Sequence, residues 1–527
     1  MGLGERLKRL VAIEGKTKDY LSPIISYSSA NIMLGGAGYP LNLYHLQFLT
    51  FVEGLGTKTA GTISLISGIV DAITDPFMGY ITDRTKSKFG RHRRYLLWAI
   101  IPFIFSYIMK WYSFGVSESG NIRNIFIFYL SAGLLYGVAY TMASIPHTAM
   151  LPSIAPDYFL RTQYKMVEYI MNSVGQISSF IFTALALSGF NIKVALGALP
   201  DPSPADRPKY LMVGIILSIW FTLPLLYTFF KTSEPSSLNA DFSGMAKRNI
   251  IADYASIFKN KAFRQYFIIS LFHMISKSLY SLTDQYFIIS IANKYRLFNT
   301  LNIISGIAEA SGSPLNFLLV KHKGKQFCGK LLGPFMVIGL ILNIFITPST
   351  PSAVTTVIIL ISSILYNFGY SGPGFVSVNI QPDVIDVDEL ITGENREGMV
   401  STFRSFFSKT IGSLMSFAVG ASLEMFGYDT KRKEPQFQTA KSLFGLRLNF
   451  IILPAIFALF TVISTYRYKM TKTDHAVIRD IIKEKHETGT CTISEEQKKR
   501  IEQIAGQKWE DMWIGKDICK DTAKKLT

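Results

Sequence analysis

Runs of about 20 apolar residues, the length that crosses a bilayer as a helix, recur along the whole chain, and no other feature restricts its fold as much. Twelve such windows stand near 24–52, 57–82, 95–113, 124–152, 166–188, 210–231, 265–290, 298–320, 330–347, 353–380, 399–426 and 443–468. Hydrocarbon offers backbone N–H and C=O groups no partner, so each window must be helical. Only 17% of the residues are charged, against about 25% in soluble domains. The expected fold is an all-α membrane protein with twelve transmembrane helices. The first 22 residues are charged and the first span is longer than the apolar core of a signal peptide, so no cleavable signal is expected.

The net charge is +17, and its distribution is uneven. Lys and Arg gather in residues 1–22, 83–94, 231–264, 321–330 and the stretch after 468, while 114–122 and 348–352 have none. By the positive-inside rule the basic loops are cytoplasmic, with both termini inside. This accounts for the charge without a nucleic-acid partner. Cys328, Cys491 and Cys519 fall on the same side and lack metal-site spacing, so neither a metal site nor a disulfide is expected.

The chain repeats itself. "GIVDAITDPFMGY" from Gly68 aligns with "GIAEASGSPLNFL" from Gly306, matching Asp71 to Glu309, Asp75 to Ser313 and Pro76 to Pro314. A basic loop follows each copy. Both fall on the second span of a six-span half, as in transporters built from two parallel six-helix repeats. The expected organisation is a cytoplasmic N-terminus (1–22), a six-helix bundle (23–231), a cytoplasmic linker (232–262), a second six-helix bundle (263–470) and a cytoplasmic tail (471–527). In the tail, "TISEEQKKRIEQIAG" has a capping-box pattern from Ser494 to Gln497, with Gly506 placed to stop a short soluble helix.

Two acids interrupt the second span. An ionised Asp at mid-bilayer costs roughly 2.5–3.5 kcal/mol on insertion scales. Asp71 and Asp75 lie four apart, on one helix face. Such a pair requires a proton, a cation or a basic partner. Pro76 has no N–H, so the Ala72 carbonyl loses its helical donor, and Thr74 adds a hydroxyl. An all-oxygen cluster of this kind suits a hard cation. The competing reading is a salt bridge to Lys277, Arg404 or Lys409, which also lie in apolar windows.

The stretches "DAITDPFMGYITDRTKSKFGRHRRYLL", "YTMASIPHTAMLPSIAPD", "IQPDVIDVDELITGENREGMVSTF" and "FFSKTIGS" resemble, in order, the glycoside–pentoside–hexuronide:cation symporters of the major facilitator superfamily, the family of the melibiose/sodium symporter. The resemblance covers about 20–470. It implies cation-coupled symport of a sugar by alternating access, with Na⁺, Li⁺ or H⁺ as coupling ion and no cofactor. It places Asp71, Thr74, Asp75 and Thr141 at the cation, Asp71 and Asp75 being the metal ligands if Na⁺ is carried, and Lys409 at the coupling position. The family's galactoside-gripping aspartates fall on Gly35 and Ser144, its stacking tryptophan on Thr148, and that tryptophan's neighbour on His147. A helix-five arginine is replaced near Glu168. A melibiose-like substrate is therefore not expected.

Other polar residues in spans are candidates for substrate contact: Asn31, Tyr140, Lys277, Asp284 and Arg404. The run "GGAGYP" in the first span reads as helix packing, with a hinge as the alternative. Asp83, Arg84 and Arg91 in the basic loop, together with Asp383 and Asp386, are expected to form a cytoplasmic gate. No P-loop, nucleophile elbow or HExxH motif is present, so an enzyme is not expected. The partners expected are a small sugar or sugar acid, a monovalent cation and the bilayer, for a monomer in the plasma membrane. A Na⁺-coupled lipid or other organic-solute transporter of the same fold, and a non-transporting sensor, stay open as alternatives.

Overall fold

The computed structural model describes residues 21–516 apart from 156–157, 198–201, 235–255, 395, 433 and 492. Every regular element among them is a helix, as hydrocarbon demands. Nine helices in the described residues are long and apolar enough to cross a membrane. The other three expected spans are helical as well, but each is interrupted or carries charge. The first runs through Leu21–Ser28, Asn31–Gly36 and Gly38–Pro40 into two π-wound turns, Leu41–His45 and Phe48–Val52. Thr57–Asp83 contains Asp71 and Asp75, and Lys261–Ser290 contains Lys277 and Asp284.

The described residues pack as two units. The first lies within Met1–Met245, Asp284–Asn299 and Gly412–Gly445. Here the first span closes onto Tyr158–Leu187 at a separation only glycine permits. A Cβ on Gly36 would lie 2.6 Å from the Gly175 carbonyl oxygen, and one on Gly175 would lie 2.2 Å from that of Ile32. Small residues let membrane helices approach this closely, so the "GGAGYP" run serves packing. The Tyr140 hydroxyl donates to the carbonyl of Leu34, just before that run, at 2.6 Å, and the Tyr107 hydroxyl to that of Ala37, inside it, at 3.1 Å. Segments from later in the chain join this unit: Thr57 Oγ1 donates to the Gly420 carbonyl at 2.8 Å, and the Thr50 and Tyr286 hydroxyls meet at 3.0 Å.

The basic loop after the second span is held by one carboxylate. Glu234 Oε2 accepts the backbone N–H groups of His92 and Arg93 at 3.0 and 2.9 Å, and Oε1 lies 2.8 Å from His92 Nδ1. An anion thus satisfies the first amides of the helix Arg93–Trp98. Gly90 makes the turn with φ of +91°, and a Cβ there would stand 2.3 Å from Glu234 Oε2. Burial pushes the Glu234 pKa upward, but the bonds from the His92 ring and the two amides outweigh it and hold the carboxyl below its usual range. Arg84 and Arg94 rest on the Tyr80 and Trp98 rings at 3.8 and 3.9 Å.

The second unit lies within Ala246–Thr283, Thr300–Ile411 and Leu446–Thr527. Its core joins helix ends to the tail: Tyr266, Ile380, Val384 and Leu390 pack with Ile478, Ile481, Ile501 and Met512. The tail helices Lys472–Thr488 and Glu495–Ala505 start on capping boxes, Thr471 with Asp474 and Ser494 with Gln497, and end at left-handed Gly489 and Gly506. The Lys485 ammonium donates to the carbonyls of Trp513, Ile514 and Lys516 at 3.0, 2.6 and 2.6 Å. The acids of the helix Gln381–Thr392 find partners inside this unit. Lys325 reaches Asp383 at 2.6 Å, His475 reaches Asp386 at 2.7 Å, and Arg396 grips Asp388 with two nitrogens. Cys328 and Cys491 are free thiols, and Cys519 lies outside the described residues.

A carboxyl held below its usual range stabilises the fold where it is ionised, and that contribution fades as acid protonates it. Glu234→Gln is expected to cost about 1–3 kcal/mol at neutral pH. In thermal unfolding of the detergent-solubilised protein, the gap between wild type and variant should begin to close below about pH 4.3, the ordinary value, and vanish only as pH falls through the lowered value of the folded carboxyl. A gap that persists unchanged at acid pH would contradict this anchoring role.

Candidate cation site

The helix Thr57–Asp83 sorts its residues by face. Ile69, Ile73, Phe77, Tyr80 and Ile81 are exposed, while Ala72, Asp75, Met78 and Thr82 are buried. An exposed apolar stripe on a membrane helix is the side that meets lipid. The opposite side presents Ser67, Asp71 and Asp75, four residues apart and therefore stacked.

The helix Ile122–Ile154 answers this stack with its own: Gly133, Gly137 and Thr141. A Cβ on Gly133 would lie 2.3 Å from Ser67 Oγ, and one on Gly137 would lie 3.3 Å from Asp71 Oδ1. Missing side chains bring the two helices together. One turn further on, Thr141 reaches both acids: its Oγ1 is 2.9 Å from Asp71 Oδ1 and 2.8 Å from Asp75 Oδ1. A hydroxyl has one proton to donate and otherwise only lone pairs. It satisfies one carboxylate; against the other it needs a proton on that carboxyl or a cation beside the contact. Thr141 is 1% exposed and Asp75 5%, so bulk water screens little of this repulsion.

Thr74 donates its hydroxyl to the Asp71 backbone carbonyl at 3.0 Å. Pro76 continues the helix and leaves the Ala72 carbonyl without its usual amide donor. The donor atoms gathered here are all oxygens, the set a hard monovalent cation takes. Among the described residues no three His, Cys, Asp or Glu side chains form a metal-binding group.

The remaining candidates are scattered. Gly35 backs onto Asn172, whose Cγ lies 2.2 Å from where a Cβ would stand. Asn31 is half-buried nearby in sequence, with Nδ2 unpartnered among the described residues. His147 turns into helix packing: its Nε2 is 2.9 Å from the Tyr27 carbonyl, Tyr27 donates to the His147 carbonyl at 2.8 Å, and the rings stack at 4.2 Å. Thr148 is exposed and donates to the Ser144 carbonyl at 3.0 Å. Glu168 pairs with Lys165 at 2.8 Å. Asp284 is half-buried in the first unit. Lys277, Arg404 and the half-buried Lys409 belong to the second unit. Of the gate residues, Arg91 is half-buried, and the Asp83 side chain lies outside the described residues.

Two features escape a reading of the sequence by motif. Glu234 is one, since nothing local marks it as the anchor of a loop 142 residues away. The other is the Gly133–Gly137–Thr141 stripe, whose signal was available: small residues at intervals of four leading to a hydroxyl.

The family described as MFS/sugar transport protein matches residues 26–472. Among curated relatives, an uncharacterised symporter of Synechocystis is 26% identical over 509 residues, covering 83% of this chain and 92% of the relative. A glucuronide carrier protein homolog of Escherichia coli is 24% identical over 460 residues, covering 85% and 92%. The solved D-xylose-proton symporter superposes with a TM-score of 0.57 at 13% identity, covering 84% of this chain and 96% of the other, a likeness of fold.

Thr141→Val keeps shape and removes the shared hydroxyl. It is expected to weaken cation binding by about 10-fold, the worth of one lost hydrogen bond or ligand. Gly137→Leu should do more, because its side chain wedges Thr141 away from the acids. Cation titration of the purified variants, read by intrinsic fluorescence, checks both; a Gly137→Leu protein with wild-type affinity contradicts the close-approach argument.

Proposed function

Because the chain belongs to the MFS/sugar transport protein family, and is thus a multi-pass membrane transporter rather than an enzyme, we propose that it is a symporter coupling Na⁺, Li⁺ or H⁺ to the uptake of a glycoside, pentoside or hexuronide. The observation that carries this reading is the single Thr141 hydroxyl set against two carboxylates inside the membrane. A permanent structural role would be served more cheaply by apolar residues. A pair of acids that binds and releases a positive ion justifies its cost by the work it couples.

In this reading Asp71, Asp75 and Thr141 hold the ion, with the Ala72 carbonyl and Thr74 at the edge of the site. Ion binding cancels the repulsion between the two carboxylates of the second span and joins them to the Thr141 hydroxyl of the fourth. The neighbouring first span, tied to the fourth through the Tyr140–Leu34 bond, feels the change. Ion and sugar then favour each other's binding reciprocally. With a neutral sugar, one positive charge crossing 100 mV releases about 2.3 kcal/mol, which supports accumulation on the order of 40-fold. The family name and the relatives' names support a sugar cargo; the glucuronide carrier supports including sugar acids. The basic loops support a plasma-membrane orientation with both termini cytoplasmic.

Asp75→Asn is expected to abolish ion-driven accumulation in vesicles while sugar-for-sugar exchange continues at a reduced rate. Asp71→Asn should lower ion affinity by 10-fold or more, on the scale of a lost charged ligand. Uphill accumulation by both variants with unaltered ion dependence would sink the proposal. Comparing a Na⁺ gradient with a proton gradient identifies the coupling ion.

A further inference from the structure

The first unit buries a positive charge that no carboxylate answers. Lys110 stands in the last turn of the helix Ile100–Trp111 and is 7% exposed. Its ammonium has no ion pair or hydrogen-bond partner among the described residues, where burial alone acts on its charge. The dipole of the last helical turn favours a cation, but a buried ion is costly unless an opposite charge meets it. His45 supplies none: its Nε2 lies 3.1 Å from the Lys110 carbonyl, and its ring packs edge-on against Trp111 at 5.7 Å.

This ammonium lies at one end of the cation site. It comes within 3.7 Å of the point where a Cβ on Gly133 would stand, and Ser67 Oγ comes within 2.3 Å of the same point. Ser67 Oγ is itself buried and has no hydrogen-bond partner among the described residues. Ser67 is one turn from Asp71, about 5.4 Å along the helix, and Gly133 is one turn from Gly137, which faces Asp71. The helices bearing Lys110 and Gly133 run antiparallel, since Phe103 and Tyr107 pack on Tyr136 at 6.2 and 5.8 Å while Lys110 meets Gly133. A helical side chain leans toward its own N-terminus, so Lys110 leans along the Gly133–Gly137–Thr141 stripe toward the acids. Its flexible four-carbon stem ends at the level of Ser67, one turn short of Asp71, with an unpartnered hydroxyl on the way.

We propose that Lys110 is the counter-ion of the emptied cation site: when the coupling ion leaves, its ammonium moves past Ser67 to pair with Asp71, and the next ion displaces it. This role rests on the reading of the chain as a cation symporter and names the group that serves the return of the empty carrier. A symporter completes its cycle with neither ligand bound. In that state two adjacent carboxylates would have to reorient with no positive charge between them, in surroundings where water screens little. An ammonium on a tether neutralises one of them without leaving the protein. The pair forms only while the site is empty, because a bound ion takes its place at Asp71. Lys110 is thus a positioning group that competes with the ion rather than a ligand of it.

Lys110→Met keeps much of the stem and removes the charge; Lys110→Gln, a polar side chain, serves where the Met variant does not fold. Purified protein in choline chloride is titrated with NaCl, LiCl or acid and read by intrinsic fluorescence. With the competitor gone, the coupling ion is expected to bind about 10-fold tighter, the worth of one charged hydrogen bond. Lys110→Arg, which keeps the charge, should stay within about 3-fold of wild type. In an Asp71→Asn background, Lys110→Met should leave ion affinity unaltered, as a direct pair requires. In thermal unfolding, Lys110→Met should be less stable than wild type without ion, and the gap should close at saturating ion; a packing residue would show the same gap in both conditions. Ion affinity in the neutral variants equal to or weaker than wild type overturns the proposal. So does tightening that persists in Asp71→Asn, which is the field of a distant charge, or a stability gap indifferent to ion. A wild type that answers to neither Na⁺, Li⁺ nor protons overturns the symport reading and this role with it, whereas failure confined to the Lys110 variants leaves that reading standing.

Discussion

One hydroxyl between two carboxylates organises the first unit. For Thr141 to touch Asp71 and Asp75 together, the second and fourth spans must run side by side in register. That register exists because Gly133 and Gly137 have no side chains where Ser67 and Asp71 arrive. The chemistry of the site and the packing of the helices are thus one constraint. Lipid supplies no hydrophobic force between membrane helices; van der Waals closeness at glycine supplies it instead, and the acids occupy the seam so formed. The same device holds the first span against the fifth through Gly36 and Gly175.

The local parts of this arrangement were legible in the sequence. Span lengths, the acids four apart, the capping box at Ser494 and the stop at Gly506 all follow from periodicity and backbone chemistry. What sequence withheld is tertiary. His147 aligns with a substrate position, yet its ring lies on Tyr27, because a histidine on a helix shows its spacing and not which neighbour will meet it. Asp383 and Asp386 read as gate acids in search of arginines, and the structure pairs them with Lys325 and His475. The tail reads as a short soluble helix by its capping pattern, and what that pattern could not name is its partner: Ile478, Ile481, Ile501 and Met512 are core residues of the second unit. Alternation of apolar residues announces a buried face without naming what buries it.

The polar residues in the two units fall into different chemistries. The first unit gathers oxygens around Thr141. The second gathers nitrogen bases around the Tyr370 ring. Positive and negative groups in a membrane interior are each costly, so a chain that keeps both has a use for both.

The second span presents oily side chains on one side, Ile69, Ile73, Phe77, Tyr80 and Ile81, and carboxylates on the other. Such a helix is locked against spinning about its own axis. A half-turn would plunge Asp71 and Asp75 into acyl chains and strand five bulky groups against polar neighbours. Any displacement of this helix within the membrane must therefore be a tilt or a slide that keeps this azimuth fixed, carrying the fourth span along as a rigid companion.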